Sequence, residues 1–336
     1  MYKRQVLCNP DGTQQVIYDE RSPKYVDHLN KTFYFLEDGR CFIVREETST
    51  GYMHLYLYGI GQGVLHPITQ GEWEVTDFVG LRGDKVYYIS TESSPLKRDL
   101  YRVGLDGKHK ERLTPGDGYY SIYPSADLSY YICEGGDSSA PGRTDVFNAA
   151  GKRVRTLYDN APLKEALVEA GLPVREFFTF TTERGDELNG YMLKPLDFDP
   201  AKRYPVLLTQ YSGPGSQQVA EGWGPDWEDA LVTHGYIVVC VDPRGTGYRG
   251  EEFKKLTYGN LGRLEVEDQI STARYMARQS YVDPARIVIY GWAYGGFMAL
   301  GCAFRGEGLF KMAIAVAPVT SWRYYDSIYT ENFNGL

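Results

Sequence analysis

Cysteine is scarce, and its arrangement excludes two kinds of site. The 336 residues contain five cysteines, and no two of them have Cys-x-x-Cys spacing. An odd number without that spacing disfavours both a complete disulfide framework and a cysteine-rich zinc site. No other motif indicates a metal or an organic cofactor, and we expect neither. The cysteines are Cys8, Cys41, Cys133, Cys240 and Cys302.

Long apolar runs and basic blocks are also missing. The longest apolar stretches, Tyr236–Val241 and Met312–Val316, are far shorter than the roughly 18 residues of a membrane-spanning helix. No apolar segment follows Met1–Gln5, so we expect no secretory signal here, and these five residues match nothing in the pattern that follows. The net charge of −8, without a basic block, argues against a nucleic-acid partner.

Tyrosine, by contrast, is abundant, with 29 residues. Together with frequent glycine and Asp-Gly pairs, it suits short strands joined by tight turns. Asp-Gly pairs expected to form hairpin turns are Asp11-Gly12, Asp38-Gly39 and Asp106-Gly107.

A short phrase repeats along the first half of the chain. Tyr56, Tyr101 and Phe147 occupy the same place in three similar phrases, 45 and 46 residues apart. A second phrase, Ile68–Gly71, recurs as Leu113–Gly116 with the same step of 45. A period near 45 with short strands is typical of one four-stranded propeller blade per repeat. An irregular β-sandwich is the less favoured alternative.

The strand-like runs between the phrases fit the same interpretation. Lys85–Ser90 and Ser129–Cys133 are expected to be strands. About 160 residues at this period supply three to four blades, whereas a propeller closes with at least about four. We therefore expect an incomplete propeller that begins partway round its ring.

After Asn160 the sequence pattern changes, and segments typical of strands alternate with segments typical of helices. This alternation predicts an α/β sheet. Continuous apolar runs are typical of buried parallel strands. The predicted strands are Phe177–Thr182, Leu188–Leu193, Pro205–Thr209, Tyr236–Val241 and Ile287–Tyr290, and the predicted helices are Ala161–Ala170, Val266–Gln279 and Phe297–Phe304.

Between the last of these strands and the last helix lies Gly291-Trp292-Ala293-Tyr294-Gly295-Gly296. Its position and glycine spacing match the nucleophile elbow Gly-x-Ser-x-Gly, a sharp turn from strand to helix. The central residue is Ala293 instead of serine, and a methyl group cannot attack a carbonyl carbon. Taken alone, the pattern also fits an ordinary glycine-lined turn.

Further phrases accompany the elbow, in a fixed order. They are Tyr204–Gly215, Val241–Gly250, Leu261–Gln269 and Ala317–Glu331, with Gly71–Val75 and Tyr87–Ser90 in the repeat region. Together they resemble the prolyl oligopeptidase family, in particular its dipeptidyl peptidase IV branch. The resemblance implies a mixed fold, with a partial β-propeller of four-stranded blades at residues 1–160 and a partial α/β-hydrolase domain at residues 161–336.

The resemblance implies a role for each matching residue. Ala293 takes the place of the nucleophile, while the backbone N–H of Tyr294 and the hydroxyl of Tyr211 take the places of the oxyanion donors. An apolar pocket for proline is implied for Trp292, Tyr294, Val319, Trp322, Tyr325 and Tyr329. Tyr324 is expected instead to be an ordinary core aromatic, which is also an open alternative for Trp322. Asp242–Gly245 is interpreted as a structural turn with a pinned arginine.

The sequence departs from the family's pattern in two respects. In this hydrolase order the acid and the histidine follow the nucleophile, but all five histidines precede Ala293. We therefore expect the chain to be inactive as written and to stop before the catalytic Asp and His. The paired glutamates that bind a substrate's amino terminus in this branch are also not found, because Glu46-Glu47 aligns with a later blade, where we expect a solvated hairpin. The histidines are His28, His54, His66, His109 and His234.

Three functional hypotheses remain open. The first is a serine exopeptidase that releases dipeptides after a penultimate proline or alanine, with its serine replaced. The second is a natural non-catalytic relative that binds peptides, and the third is a prolyl tripeptidyl or acylaminoacyl peptidase of the same family. The resemblance implies peptide substrates and homodimeric full-length relatives, and it is compatible with a secreted, periplasmic or cell-envelope enzyme.

Overall fold

The computed structural model describes residues 1–27 and 32–335, which fold as two compact units. The first unit is built from Met1–Asp137, Gly142–Asp159 and Tyr248–Glu252. The second is built from Ser138–Pro141, Asn160–Gly247 and Phe253–Leu336.

The first unit consists of antiparallel sheets. Within its described residues, β1 and β2 form a two-stranded sheet, and three sheets have four strands each, β3–β6, β7–β10 and β11–β14. The strands are β1 (Tyr2–Cys8), β2 (Gln14–Arg21), β3 (Phe33–Phe35), β4 (Cys41–Glu46), β5 (His54–Gly59), β6 (Gly63–Pro67), β7 (Val75–Arg82), β8 (Lys85–Ser90), β9 (Asp99–Gly104), β10 (Glu111–Arg112), β11 (Tyr119–Pro124), β12 (Tyr130–Gly136), β13 (Arg143–Asn148) and β14 (Arg153–Tyr158).

The sequence repeat corresponds to one position in these sheets. Tyr56, Tyr101 and Phe147 lie on β5, β9 and β13, the third strand of each four-stranded sheet. Each of these strands pairs with both neighbours, so the repeated phrase marks an inner strand of the blade. The predicted propeller blades are confirmed.

Apolar side chains hold neighbouring blades together. One buried cluster joins Ile43 and Leu55 of the first blade to Val86 and Tyr88 of the second. Another cluster joins Leu100 of the second blade to side chains of the third, including Tyr131 and Phe147. The second blade thus buries apolar side chains on both of its faces, since its Tyr88 belongs to one cluster and its Leu100 to the other.

Tyr2–Cys8 pairs with Gln14–Arg21 in the two-stranded sheet, outside the four-stranded blades. One expectation for this unit was wrong. Glu46 and Glu47 do not lie on a solvated hairpin, since both are buried. The carboxyl group of Glu46 accepts hydrogen bonds from the hydroxyls of Thr48 and Ser49, which replace water as its partners.

The second unit contains a six-stranded sheet in the order β15-β16-β18-β17-β19-β20. The β17–β18, β17–β19 and β19–β20 pairs are parallel, whereas β15 and β16 run antiparallel at one edge. The strands are β15 (Glu176–Thr181), β16 (Glu187–Leu193), β17 (Tyr204–Thr209), β18 (Ile237–Asp242), β19 (Val282–Trp292) and β20 (Met312–Val316).

Helices follow most of these strands along the chain. They are α1 (Ala161–Ala170), α2 (Trp227–Thr233), α3 (Glu251–Lys254), α4 (Leu264–Ala277), α5 (Tyr294–Arg305) and α6 (Ser327–Asn334). The core is formed by the inner strands together with α4 and α5, whose apolar side chains join one buried cluster. Helix α1 forms at the predicted bounds, yet none of its residues is buried. None of the helices in the described parts of the chain is long and apolar enough to cross a membrane.

Candidate active site

Ala293 lies at the sharp turn between β19 and α5. Its φ of 55° and ψ of −111° fall in a region that non-glycine residues rarely occupy, which stores strain at this position. Its N–H donates to the carbonyl oxygen of Val316 on the neighbouring strand β20, at 2.9 Å. The turn therefore holds the Cβ atom of Ala293 in one orientation, as a nucleophile elbow requires.

The glycines around Ala293 are required by the close approach of the backbone. A Cβ atom on Gly295 would lie 2.4 Å from the carbonyl oxygen of Gln210, and one on Gly291 would lie 2.1 Å from the carbonyl oxygen of Gly295. Real Cβ atoms do not come so close to other atoms, so only glycine fits at these two positions without a backbone shift.

Strand pairing places Tyr211 beside the elbow. β17 ends at Thr209, is the parallel neighbour of β19, and therefore delivers Tyr211 to the same edge of the sheet as Ala293. The ring centroids of Tyr211 and Tyr294 are 6.1 Å apart. Burial raises the pKa of the Tyr211 hydroxyl, and the nearby Tyr325 raises it further, so the group stays protonated and can donate at neutral pH.

Tyr294 is the first residue of α5, and its N–H is one of the helix N–H groups without an intrahelical acceptor. Such groups carry the positive end of the helix dipole and attract negative charge. The roles of the Tyr294 N–H and the Tyr211 hydroxyl as oxyanion donors stay a prediction.

Aromatic side chains from α5 and the segment after β20 gather around Trp322. Its ring lies 5.8 Å from those of Tyr294 and Tyr325 and 5.9 Å from that of Tyr329. The rings of Tyr325 and Tyr329 are 5.3 Å apart. We call these four residues the aromatic cluster. Val319 is half-buried in the segment between β20 and Trp322.

Trp292 lines a cavity separate from the aromatic cluster, and Tyr324 lies at the surface. The side chain of Trp292 is 63% exposed and lines a cavity of about 400 Å³ together with Tyr211 and Ala293, a cavity that the aromatic cluster does not line. Tyr324 is 85% exposed, so its expected place in the core was wrong. Trp322 and Tyr324 belong to the same 3₁₀ turn, which points their side chains in different directions. Of the residues in this turn, only Trp322 packs against the core.

Glu265, for which no sequence motif indicates a role, lies beneath Tyr294. Glu265 is fully buried on α4, where its Oε1 accepts from the Tyr294 hydroxyl at 2.5 Å and its Oε2 accepts from the Gly262 N–H at 3.0 Å. Burial raises the pKa of this carboxyl group, while the bond from Tyr294 acts in the opposite direction. Glu265 lies one residue before the predicted helix Val266–Gln279, so the helical spacing gave no sign that its carboxyl group is buried.

Gln210 is a second residue whose role no sequence motif indicates. Its side-chain amide donates to the carbonyl oxygen of Gly295 at 2.8 Å, and its Oε1 accepts from the hydroxyl of Ser212 at 2.8 Å. The amide of Gln269 on α4 donates to Ser212 at 3.2 Å. This buried network connects the loop after β17 to the first turn of α5, and so supports both Tyr211 and Ala293.

Arg244 is held as a structural residue. Its guanidinium group and backbone N–H all bond to the buried carboxylate of Asp268, with Nη2–Oδ1 at 2.6 Å and N–Oδ2 at 2.8 Å. Asp186 lies 3.3 Å from Nη1. These contacts match the pinned arginine that the sequence suggests.

Hydrogen bonds to other groups engage ring nitrogens of the described histidines His54 and His234. His54 is buried, with Nδ1 2.9 Å from the Thr69 hydroxyl and Nε2 2.8 Å from the Gly71 carbonyl oxygen, while Nδ1 of His234 is bonded within α2 at Ala230. His28 lies outside the described residues. Within the described ranges, no group of three or more His, Cys, Asp or Glu residues could hold a metal ion.

Comparison with known protein families assigns the two parts of the chain to one kind of protein. Residues 3–141 match the dipeptidyl peptidase IV N-terminal region. Residues 223–336, which include the elbow and the aromatic cluster, match the prolyl oligopeptidase family.

Individual relatives agree with these matches. The chain is 38% identical to a probable dipeptidyl peptidase 4 of Emericella nidulans, over 84% of this chain and 38% of that protein. It is 41% identical to a probable dipeptidyl-aminopeptidase B of Aspergillus niger, over 84% of this chain and 32% of that protein. The crystal structure of Porphyromonas gingivalis dipeptidyl peptidase 4 superposes with a TM-score of 0.93 at 40% identity, covering 99% of this chain and 47% of that one.

The chain spans less than half the length of each of these relatives. The blades and the sheet described above are therefore a partial β-propeller and a partial α/β-hydrolase domain, as predicted. On the family matches, the relatives and the superposed structure together, the chain belongs to the prolyl oligopeptidase family, in its dipeptidyl peptidase IV-like branch.

Proposed function

We propose that this chain is part of a serine exopeptidase that releases dipeptides after a penultimate proline or alanine, and that Ala293 makes it inactive as written. The observation that carries the proposal is the elbow itself, with Ala293 held at a positive φ between β19 and α5. The names of the relatives support the peptidase class. Within this proposal, residues 1–160 form propeller blades and residues 161–336 the hydrolase part.

The proposed chemistry assigns a task to each group near the elbow. With serine at position 293, the hydroxyl group gives its proton to a general base, its oxygen attacks the carbonyl carbon of the scissile peptide bond, and the carbonyl oxygen gains negative charge. The Tyr294 N–H and the Tyr211 hydroxyl stabilise this charge, which exists only in the transition state and the tetrahedral intermediate. No histidine of this chain is assigned the role of the base.

The aromatic cluster would bind the side chain before the scissile bond. Proline is flat and stiff, and its nitrogen carries no amide proton within a peptide. The rings of Trp322, Tyr325 and Tyr329 offer apolar faces that need no hydrogen bond from the pyrrolidine ring. Tyr294 and Val319 complete the proposed pocket, whereas the position of Trp292 supports a role on the other side of Ala293.

The substitution Ala293→Ser in the full-length protein of the gene tests the proposal. We expect the serine form to hydrolyse Gly-Pro and Ala-Pro chromogenic substrates, and the Ala293 form to leave them intact. Amino-blocked versions of the same substrates are the control for exopeptidase action. Equal turnover of blocked and free substrates would reject dipeptide release and favour an acylaminoacyl or endopeptidase activity.

A non-catalytic peptide-binding relative is the second candidate. It is favoured by Ala293 itself, because alanine removes the attacking atom and leaves the surrounding surface almost unchanged. A correctly folded serine form that binds Gly-Pro peptides and does not cleave them would support this candidate. Release of tripeptides in place of dipeptides from longer peptides would identify the third candidate, a prolyl tripeptidyl peptidase.

A further inference from the structure

The cavity beside Ala293 is distinct from the aromatic cluster. It has a volume of about 400 Å³ and contacts Ala293, while its lining includes none of Tyr294, Trp322, Tyr325 and Tyr329. If the residue before the scissile bond occupies the aromatic cluster, the peptide that leaves must extend away from it. This cavity contacts Ala293 and is large enough for a side chain of that leaving peptide.

The walls of the cavity are aromatic. Trp227, Tyr290 and Trp292 all line it, and the rings of Trp227 and Tyr290 meet edge to face with centroids 4.8 Å apart. Trp227 is 46% exposed and Trp292 is 63% exposed, so both retain free surface for a ligand. Tryptophan faces attract cations more strongly than other aromatic rings do.

Two carboxyl groups also line the cavity, those of Asp226 and Glu228. Glu228 is only 7% exposed, and its Oε1 accepts from the hydroxyl of Thr209 at 2.8 Å. Burial raises the pKa of this carboxyl group and the charge of Asp226 raises it further, while the bonds from Thr209 and from its own backbone act in the opposite direction. Asp226 accepts from the N–H of Trp227 as the cap of α2 and adds a second negative charge.

Positive charge is absent from the lining that the structure describes, which contains no lysine, arginine or histidine. Arg175 acts on the charge of Glu228 from outside the lining. Its guanidinium group lies over the ring of Tyr191 and donates to the carbonyl oxygen of Gly224 at 2.9 Å. The cavity therefore combines carboxylates and aromatic faces without an internal counter-ion.

We propose that this cavity binds a lysine or arginine side chain of the leaving peptide, at its first or second residue, and so selects basic substrates. The proposal rests on the function proposed above. Glu228 and Asp226 supply the charge, and Trp227 and Trp292 supply faces along which the apolar stem and the cationic head of the side chain can lie.

The Ala293 protein tests the proposal by equilibrium binding, because it cannot cleave the ligands. Four amidated peptides are compared by calorimetry: Ala-Pro-Lys-Ala, Ala-Pro-Ala-Lys and their counterparts with acetylated lysine. We expect the lysine peptide to bind at least tenfold more tightly than its acetylated counterpart at one of the two positions. A difference of less than twofold at both positions, or no binding of any peptide, would overturn the proposal.

Glu228→Gln and Asp226→Asn identify the groups responsible. Glutamine keeps an acceptor for Thr209 and asparagine keeps a helix cap, so both variants are expected to fold. Each should reduce the lysine preference several-fold, and a preference that persists in both would overturn the assignment. Glu169→Gln, which removes a charge from the exposed face of α1, is the matched control and should leave the preference unchanged.

Two further measurements separate this proposal from the function on which it rests. The lysine preference of the Ala293 protein should fall as salt rises from about 0.02 to 0.5 M, since the carboxylates act partly through charge; a preference insensitive to salt would contradict that. In the Ala293→Ser protein, cleavage without a lysine preference would reject the cavity assignment alone. Lysine-selective binding to the Ala293 protein without cleavage by the serine form would reject the peptidase alone.

Discussion

The hydroxyl of Tyr294 donates a hydrogen bond of 2.5 Å to the carboxyl group of Glu265, and both side chains are buried. The other carboxyl oxygen accepts from the N–H of Gly262, just before α4. Tyr294, which directly follows Ala293, is therefore fixed at its ring as well as at its backbone, and its ring belongs to the aromatic cluster.

Tyr294→Phe should destabilise the second unit by about 1–3 kcal/mol, because the buried Glu265 carboxyl loses a donor. Urea unfolding of the purified protein measures the change. Tyr324→Phe is the control, since that side chain is 85% exposed and its substitution should cost less than about 0.5 kcal/mol. Equal effects of the two substitutions would show that the bond to Glu265 contributes nothing.

Glu265→Gln should cost less stability at pH 8 than at pH 5. Burial raises the folded-state pKa of Glu265 above its ordinary value of 4.5. A carboxyl group with a raised pKa contributes stability that is complete below the unfolded-state pKa and is lost as pH rises through the folded-state pKa. Glutamine does not titrate, so the difference in unfolding free energy between the two proteins should shrink as pH rises. A difference that grows with pH would contradict this sign.

Ala293→Gly should stabilise the second unit by about 1 kcal/mol, because glycine adopts a φ of 55° with a ψ of −111° without the clash of a Cβ atom. Thermal unfolding of the variant tests this. The matched control is Ala303→Gly, at an exposed position of α5, which should cost about 1 kcal/mol. Destabilisation by both substitutions would show that the turn is not strained.

Tyr211→Phe, made together with Ala293→Ser in the full-length protein, should reduce kcat roughly a hundred- to thousandfold and change KM little. The hydroxyl is proposed to act on charge that develops only in the transition state, so substrate binding does not depend on it. Steady-state kinetics on Gly-Pro chromogenic substrates distinguish the two parameters. A large rise in KM at constant kcat would instead place Tyr211 in substrate binding.

Arg244→Lys should destabilise the second unit by about 2–3 kcal/mol. Lysine keeps the charge but cannot reproduce the paired bonds of the guanidinium group to the buried Asp268. Arg286→Lys is the control, because Arg286 pairs with Asp283 at an exposed site. Chemical denaturation compares the two variants, and similar losses would show that burial of the Arg244 pair is unimportant.

The sequence predicts the repeated elements of this protein well. The blade period rests on tyrosines and phenylalanines that recur on the third strand, and the helix Ala161–Ala170 has the bounds that its apolar spacing indicates. The elbow follows from glycines whose absent Cβ atoms leave room for the backbone. Each of these features is determined by residues that are close together in the chain, so sequence patterns can predict it.

Features that depend on the geometry of short turns, or on contacts between distant parts of the chain, were not predicted from the sequence. Burial of Glu46 depends on hydroxyl groups in the following turn, and exposure of Tyr324 depends on how a short 3₁₀ turn orients three adjacent residues. The pairing of Glu265 with Tyr294 joins two helices, and no spacing rule predicts it. Glu228 likewise becomes part of a cavity only because β17 and β19 are neighbours in the sheet.

In the hydrogen-bond network around Gln210, each side chain donates to the next one. A chain of bonds in one direction is cooperative, because each bond strengthens its neighbours. The amide of Gln269 donates to Ser212, the hydroxyl of Ser212 donates to Gln210, and the amide of Gln210 donates to the carbonyl oxygen of Gly295. Each donor role is fixed by its neighbour, so an isosteric acid at Gln210 would place a second acceptor against a carbonyl oxygen. Substitutions at Gln269 and Gln210 should therefore have effects on the free energy of unfolding that do not add. Helix α4, which carries Gln269, thus helps to hold the elbow in place.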